Sequence, residues 1–274
     1  MTGADVAAAA QLACLLEVSA PKPGNVSPGR HFHDTSYEDF VASAVAIGPA
    51  LALAGERPLG ATIRSAIEAT AHWTRHNTNL GIVLLLAPLA RAACRSGGGL
   101  RPRVERVLAE TTVADAAEVY EAIRLAHPGG LGTASAEDVA GAPTVTLTAA
   151  MGLAAERDSV AREYVTGFGT TFEVGVPALR DARWRGLPWA DATVEAYLAL
   201  LAAVPDTLIA RKLGRAEAER ISRRAGEVRG SGPEALAALD AELRDERNTR
   251  NPGTSADLTC ASLFAVILED GWNR

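Results

Sequence analysis

Apolar residues recur along this chain at the spacing of one helix face. In residues 4–18, Val6, Ala9, Ala10, Ala13 and Leu16 fit a 3.6-residue period. Ser36, with Asp39 three residues on, opens a second run that reaches Ala54. Comparable runs cover 59–75, 78–95, 102–110, 112–126, 143–156, 159–168, 171–184, 189–203, 207–213, 216–229, 233–247 and 255–269. Between them fall the stop signals Gly55, Gly97 to Gly99, Pro128 to Gly132, Pro188, Gly214, Gly230 to Pro233, and Pro252 with Gly253. The pattern predicts an all-α protein, a bundle of about a dozen helices. The stretch TVTLT (Thr144 to Thr148) alternates and is β-branched, and IVLLL (Ile82 to Leu86) reads as a strand too, so α/β is the alternative class. No regular alternation of strands and helices follows, and abundant alanine favours helix. Residues 1–274 read as a single domain, with HPGGLGT (His127 to Thr133) an internal loop.

Composition adds bounds. The 274 residues are 48% hydrophobic and 22% charged, as in a folded globular enzyme able to bury its core without disulfides or metal. A net charge of −6 disfavours nucleic acid and anionic lipid as partners, while a local basic pocket remains open to a phosphorylated small molecule. Cys14, Cys94 and Cys260 each lie in an apolar run far from the others, the pattern of reduced, buried thiols in a cytoplasmic protein. The segment MTGADVAAAAQLACLLE shows neither the basic stretch nor the cleavage site of a secretory signal. The most apolar segment, NLGIVLLLAPLARAA, has only about a dozen residues between Asn79 and Arg91, too few for a membrane span. It reads as a helix buried on all sides.

Four polar islands interrupt this apolar chain, and candidate chemistry concentrates there. In SAPKPGNVSPGRHFHDT (residues 19–35), Pro21 and Pro23 hold Lys22 extended, and Gly24 permits close backbone approach, a combination suited to phosphate. Lys22, Gly24 and Asn25 are therefore binding candidates, with His33 and Asp34 placed nearer a sugar or metal. A solvated loop is the alternative. In RHNTNLG, the residues Asn77, Thr78, Asn79 and Gly81 lead into a strongly apolar helix, either as caps or as an anion or ribose site at its N-terminus. In VPDTLIARKLG, Asp206 can cap the helix it begins, Thr207 and Arg211 share a face, and Lys212 adds a second cation. In NPGTSADLTCASLF, Thr254 or Ser255 is an N-cap and Asp257 complements the helix dipole. A weaker metal set combines His31, His33 and Asp34 with His72 and His76. The patterns GxxxxGK[ST], GxSxG, CxxC and HExxH do not occur.

Taken in order, the islands resemble the triphosphoribosyl-dephospho-coenzyme A synthase family, whose members look like PKPG, an aspartate shortly after a histidine, TGGVNTHKG, DTNxxxRxG and SPGGSADLLA. The corresponding places hold Pro21 to Gly24, His33 with Asp34, TRHNTNLG (Thr74 to Gly81), DTLIARKLG (Asp206 to Gly214) and NPGTSADLTC (Asn251 to Cys260). The resemblance spans nearly the whole chain. It implies an all-helical fold and a reaction in which a hydroxyl of dephospho-coenzyme A attacks C1′ of the ATP ribose, adenine leaves, and a triphosphoribosyl group is transferred. That product is a prosthetic-group precursor for acyl carrier proteins of citrate lyase and malonate decarboxylase. Such a reaction needs a base, an anion near the developing ribosyl cation, and Mg²⁺ with cations for the triphosphate. Asp34, Asp206 and Asp257 are the expected catalytic and metal-binding residues, with base and ligand unassigned among them. The expected nucleotide-binding set is Lys22, Gly24, Asn25, His33, Asn77, Thr78, Asn79, Gly81, Thr207, Arg211, Lys212, Thr254 and Ser255.

The chain departs from the family pattern in three places. Asn79-Leu80 replaces His-Lys, NPGT replaces SPGG, and Leu208 replaces the Asn of DTN. A donor with fewer phosphates, or a pterin-type precursor as acceptor, is the alternative substrate set. A metal-dependent hydrolase and a non-catalytic nucleotide-binding protein are the alternatives to a transferase. The expected partners are small-molecule nucleotides and cofactor precursors, with a homodimer left open.

Overall fold

The computed structural model describes residues 1–129, 132–134 and 136–272, so the loop His127 to Thr133 lies partly outside the described residues. It is all-α. The helices are α1 (Gly3–Ser19), α2 (Tyr37–Ala46), α3 (Gly48–Ala52), α4 (Leu59–Trp73), α5 (Leu80–Ala93), α6 (Leu100–Ala109), α7 (Val113–Ala126) and α8 (Leu147–Ala154). They continue with α9 (Ser159–Thr166), α10 (Val176–Trp184), α11 (Trp189–Ala203), α12 (Thr207–Leu213), α13 (Arg215–Val228), α14 (Pro233–Leu243) and α15 (Gly253–Asp270), and a π-helical turn over Thr171–Gly175 leads into α10. Among the described residues the only β-type pairing is an isolated bridge between Ser27 and Arg30.

Local chemistry sets the helix starts. Thr2 with Asp5, Ser36 with Asp39, and Thr112 with Asp115 each form a reciprocal capping box that satisfies N–H groups of the first turn. The run expected from Ser36 to Ala54 is in fact two helices, because Pro49 brings no N–H at the start of α3. TVTLT is not a strand. Thr146 caps α8 by accepting from Ala149 N–H, and the Leu147 N–H donates to Thr112 O.

Two helices are apolar on nearly every side and occupy the centre. In α5 every residue but Gly81 and Arg91 is buried, and in α15 burial runs almost unbroken from Thr254 to Ile267. They pack on each other, and α1 lies against both. Around them α2–α4, α6, α7, α9 and α10 complete the larger hydrophobic cluster. A second cluster forms where the other face of α11, with Tyr197, Leu198 and Leu201, meets α12, α13 and α14. The N-termini of α5, α12 and α15 and the C-terminus of α1 border one cleft. No single helix among the described residues is long and apolar enough to cross a membrane.

Candidate active site

The cleft is a cavity of about 700 Å³, and all four polar islands reach it. Asn25, His33 and Asp34 line it from the first island, Asn77, Thr78, Asn79 and Gly81 from the second, Arg211 and Lys212 from the third, and Thr254 and Asp257 from the fourth. Five expected residues do not line it, and each is occupied elsewhere. Lys22 is only 1% exposed. Its ammonium pairs with Glu17 Oε1 at 2.9 Å and donates to Glu17 O and to Ala20 O, which uses its three donors at the end of α1. Lys22 thus has no proton left for a phosphate. The Gly24 N–H donates to Asp240 Oδ1 at 2.8 Å, and with φ at +76° a Cβ there would press on Leu243 and Pro252. The glycine serves a turn and close packing instead of a ligand.

Asp206 likewise sits behind the wall, 2% exposed. Its Oδ1 accepts from Leu208 and Ile209 N–H, and its Oδ2 from Ser255 N–H and Oγ, at 2.7–3.1 Å, so one carboxylate caps both α12 and α15. Burial pushes its carboxyl up from the usual range, against the pull of these bonds. Ser255 is spent in this staple. Thr207 is turned inward, accepting from Ser159 N–H and donating to Thr254 Oγ1. The PKPGN turn itself is strapped to the second cluster. Tyr197 Oη donates to Pro23 O at 2.7 Å, and Arg244 donates to Asn25 O at 2.7 Å.

The wall carries charges of both signs. Arg157, Arg211, Lys212 and Arg247 bring cations. Arg211 is held by Asp158 at 2.5 Å, and Lys212 donates to Asn248 O at 3.2 Å. Burial lowers the Lys212 ammonium, and the charges of Asp206, Asp245 and Asp34 oppose that shift. Asp257, in the first turns of α15, accepts no hydrogen bond from the described residues. Burial drives its carboxyl well above the usual carboxylate range, aided by the charges of Glu17, Asp206 and Asp158 and opposed by Arg211. Glu17, from the last turn of α1, lines the same volume. Part of the remaining wall is apolar, with Phe32, Ile123, Met151 and Leu153.

The N-terminus of α5 closes the polar end. Asn77 Oδ1 accepts from Leu80 N–H, Asn79 Nδ2 donates to Thr70 Oγ1, and Thr78 Oγ1 meets Ser43 Oγ at 2.5 Å. Leu80, where the resemblance leads one to expect a lysine, is buried. Gly81 is required for a different reason: a Cβ there would lie 2.0 Å from Asp257 Oδ2. We expect Gly81→Ala to fold with a melting temperature within a few degrees of the parent, since alanine favours helix. Because it forces the Asp257 carboxyl aside, turnover should fall by about 100-fold, the usual cost of a misplacement of about 1 Å. Steady-state kinetics beside a melting curve checks both halves.

Glu17, Arg157, Asp158 and Arg247 were missed from sequence because each lies outside the islands. Glu17 carried a signal in hindsight, as an acid among the apolar positions of α1, one turn before PKPG. Of the weaker metal set, His33 and His76 line the cleft, while His72 stacks edge-on with Trp73 at 5.6 Å. Among the described residues no group of three or more His, Cys, Asp or Glu is arranged to hold a metal by itself.

A helical fold with a cleft that carries both cations and carboxylates beside apolar side chains suits an anionic, partly apolar small molecule. A profile of the family described as "CitG: ATP:dephospho-CoA triphosphoribosyl transferase" matches residues 3–274, and the chain belongs to that family. It is therefore a transferase, of the triphosphoribosyl-dephospho-CoA synthase kind. The chain is also similar to a crystal structure of a "putative triphosphoribosyl-dephospho-coA synthase" from Archaeoglobus fulgidus, at 31% identity and a TM-score of 0.68, over 85% of this chain and 100% of that one. A search of curated proteins gave no significant match.

Proposed function

We propose that transfer occurs in this cleft by attack of an acceptor hydroxyl on C1′ of the ATP ribose, with adenine as the leaving group and dephospho-CoA as the acceptor. The new C1′–O bond forms as the C1′–N bond breaks. The bonding pair leaves with adenine, the hydroxyl proton passes to Asp257, and a proton returns to the adenine nitrogen. The observation that carries this reading is the Asp257 carboxyl, unpartnered among the described residues and facing the cavity with a raised proton affinity. A general base needs that combination near neutral pH. Arg157, Arg211, Lys212 and Arg247 supply the charge for the triphosphate that Leu80 does not. The apolar wall suits the pantetheine arm of the acceptor.

A Mg²⁺ ion on the triphosphate would need only one or two carboxylates from the protein. Asp34 fits, exposed on the cavity wall close enough to Lys212 for its charge to be felt there. Asp206, sealed and fully hydrogen-bonded, does not. The metal's contribution is to neutralise charge on the triphosphate.

Incubation with Mg-ATP and dephospho-CoA should release adenine in step with acceptor consumed, read by chromatography. Adenine released at the same rate without acceptor would replace this reading with a hydrolase, and no adenine at all would remove it.

A further inference from the structure

One buried pair is left unexplained by the reaction as drawn. Lys22 and Glu17 are 1% and 4% exposed, and their Nζ and Oε1 are 2.9 Å apart. Taking two charges out of water is costly, and a buried pair contributes little to stability over apolar residues of the same volume. Here only one carboxylate oxygen is paired. Oε2 of Glu17 accepts no hydrogen bond among the described residues, and the side chain lines the cavity that Asp257 faces. The two acids come from α1 and α15, which pack on each other. The lysine ammonium is anchored from behind by two backbone carbonyls, Glu17 O and Ala20 O, so it holds the carboxylate in one place.

We infer that Glu17 is a catalytic residue whose carboxylate, fixed by Lys22 as a positioning residue, faces the ribose and stabilises the positive charge that develops as the C1′–N bond breaks. This rests on the proposed reaction. It divides the labour between two carboxyls. Glu17 is paired with an ammonium, and Asp257, with no partner among the described residues, is left to take the proton. The PKPG segment then acts on the substrate through Glu17, not through phosphate. Of the two prolines flanking Lys22, Pro23 is tied by its carbonyl to Tyr197, which fixes the turn that carries the lysine.

The test uses Glu17→Gln, Lys22→Met and the double variant. Glu17→Gln should lower kcat about 100- to 1000-fold, the usual effect of removing one preorganised electrostatic contact, with KM for ATP changed less than about threefold. Lys22→Met leaves a lone buried charge and should melt far lower. The double variant removes both charges, so it should regain most of that thermal stability while staying as slow as Glu17→Gln. A double variant that regains turnover together with stability would reduce the pair to a structural role and overturn the inference.

An infrared arm does not depend on turnover. The difference spectrum between wild type and Glu17→Gln should show an ionised carboxylate that shifts when Mg-ATP is added. If wild type releases no adenine but that band shifts with ATP, the reaction falls and the placement of Glu17 stands. A band indifferent to ATP, with turnover of Glu17→Gln near wild type, ends the inference alone.

Discussion

Asp257→Asn should abolish most turnover while leaving the protein folded. The asparagine keeps the shape of the side chain but cannot accept the hydroxyl proton, and loss of a general base costs about 100- to 10,000-fold in rate. Stability should hold or rise, because the carboxyl being replaced is desolvated and has no hydrogen-bond partner among the described residues, so the parent carries the cost of its charge. The wild-type pH profile gives a second readout. A base works when deprotonated, and burial with the nearby charges of Glu17, Asp206 and Asp158 raises this carboxyl well above the ordinary carboxylate range. Activity should therefore be full above that raised value and be lost as pH falls through it, at a pH higher than an exposed aspartate would give. In Asp257→Asn the residual rate should lack that acid limb. Wild-type turnover in the variant, or an unchanged limb, would remove Asp257 from the chemistry.

Asp206→Ala should behave in the opposite way, losing stability first. Its carboxylate satisfies three backbone N–H groups and the Ser255 hydroxyl at the starts of two helices. Their removal strands buried donors at both ends, at a cost of about 2–4 kcal/mol from lost caps and unsatisfied groups. Urea denaturation should show a lower midpoint with an unchanged slope. The rate per folded molecule should stay within about tenfold of wild type. A variant as stable as the parent yet inactive would instead return Asp206 to the catalytic set, where its position in the DTLIARKLG island had put it.

These two aspartates show how far the sequence could be read. Helix positions were legible because they follow from local rules: the 3.6-residue period, capping boxes at Thr112 with Asp115 and Ser36 with Asp39, and Gly or Pro between runs. The breaks that were missed are also local. Pro49 divides α2 from α3, and a π-helical turn precedes Pro177 in the run expected from 171 to 184. The islands do meet at one cleft, which Asp34, Asn77 and Asp257 line and Lys22 and Asp206 do not.

Facing direction was not legible. Whether a polar side chain looks into a cavity or behind its wall depends on partners far along the chain, such as Asp240 for Gly24 and Ser255 for Asp206. Lys22 was misread for a closer reason. Its partner is only five residues away, but Glu17 sits in a helix whose apolar period had marked it as scaffold. Arg157 and Arg247 carry no motif at all, and only the fold places them on the cleft wall.

The central pairing of α1 with α15 has a consequence for biosynthesis. Glu17 and Asp257 are separated by nearly the whole described sequence, and the helix bearing the latter fills the middle of the larger cluster. During translation α1 and α5 therefore emerge with their greasiest surfaces bare and wait for α15 to cover them. A nascent chain stalled before that helix would hold no half-working pocket, only a sticky intermediate for chaperones or proteases to collect.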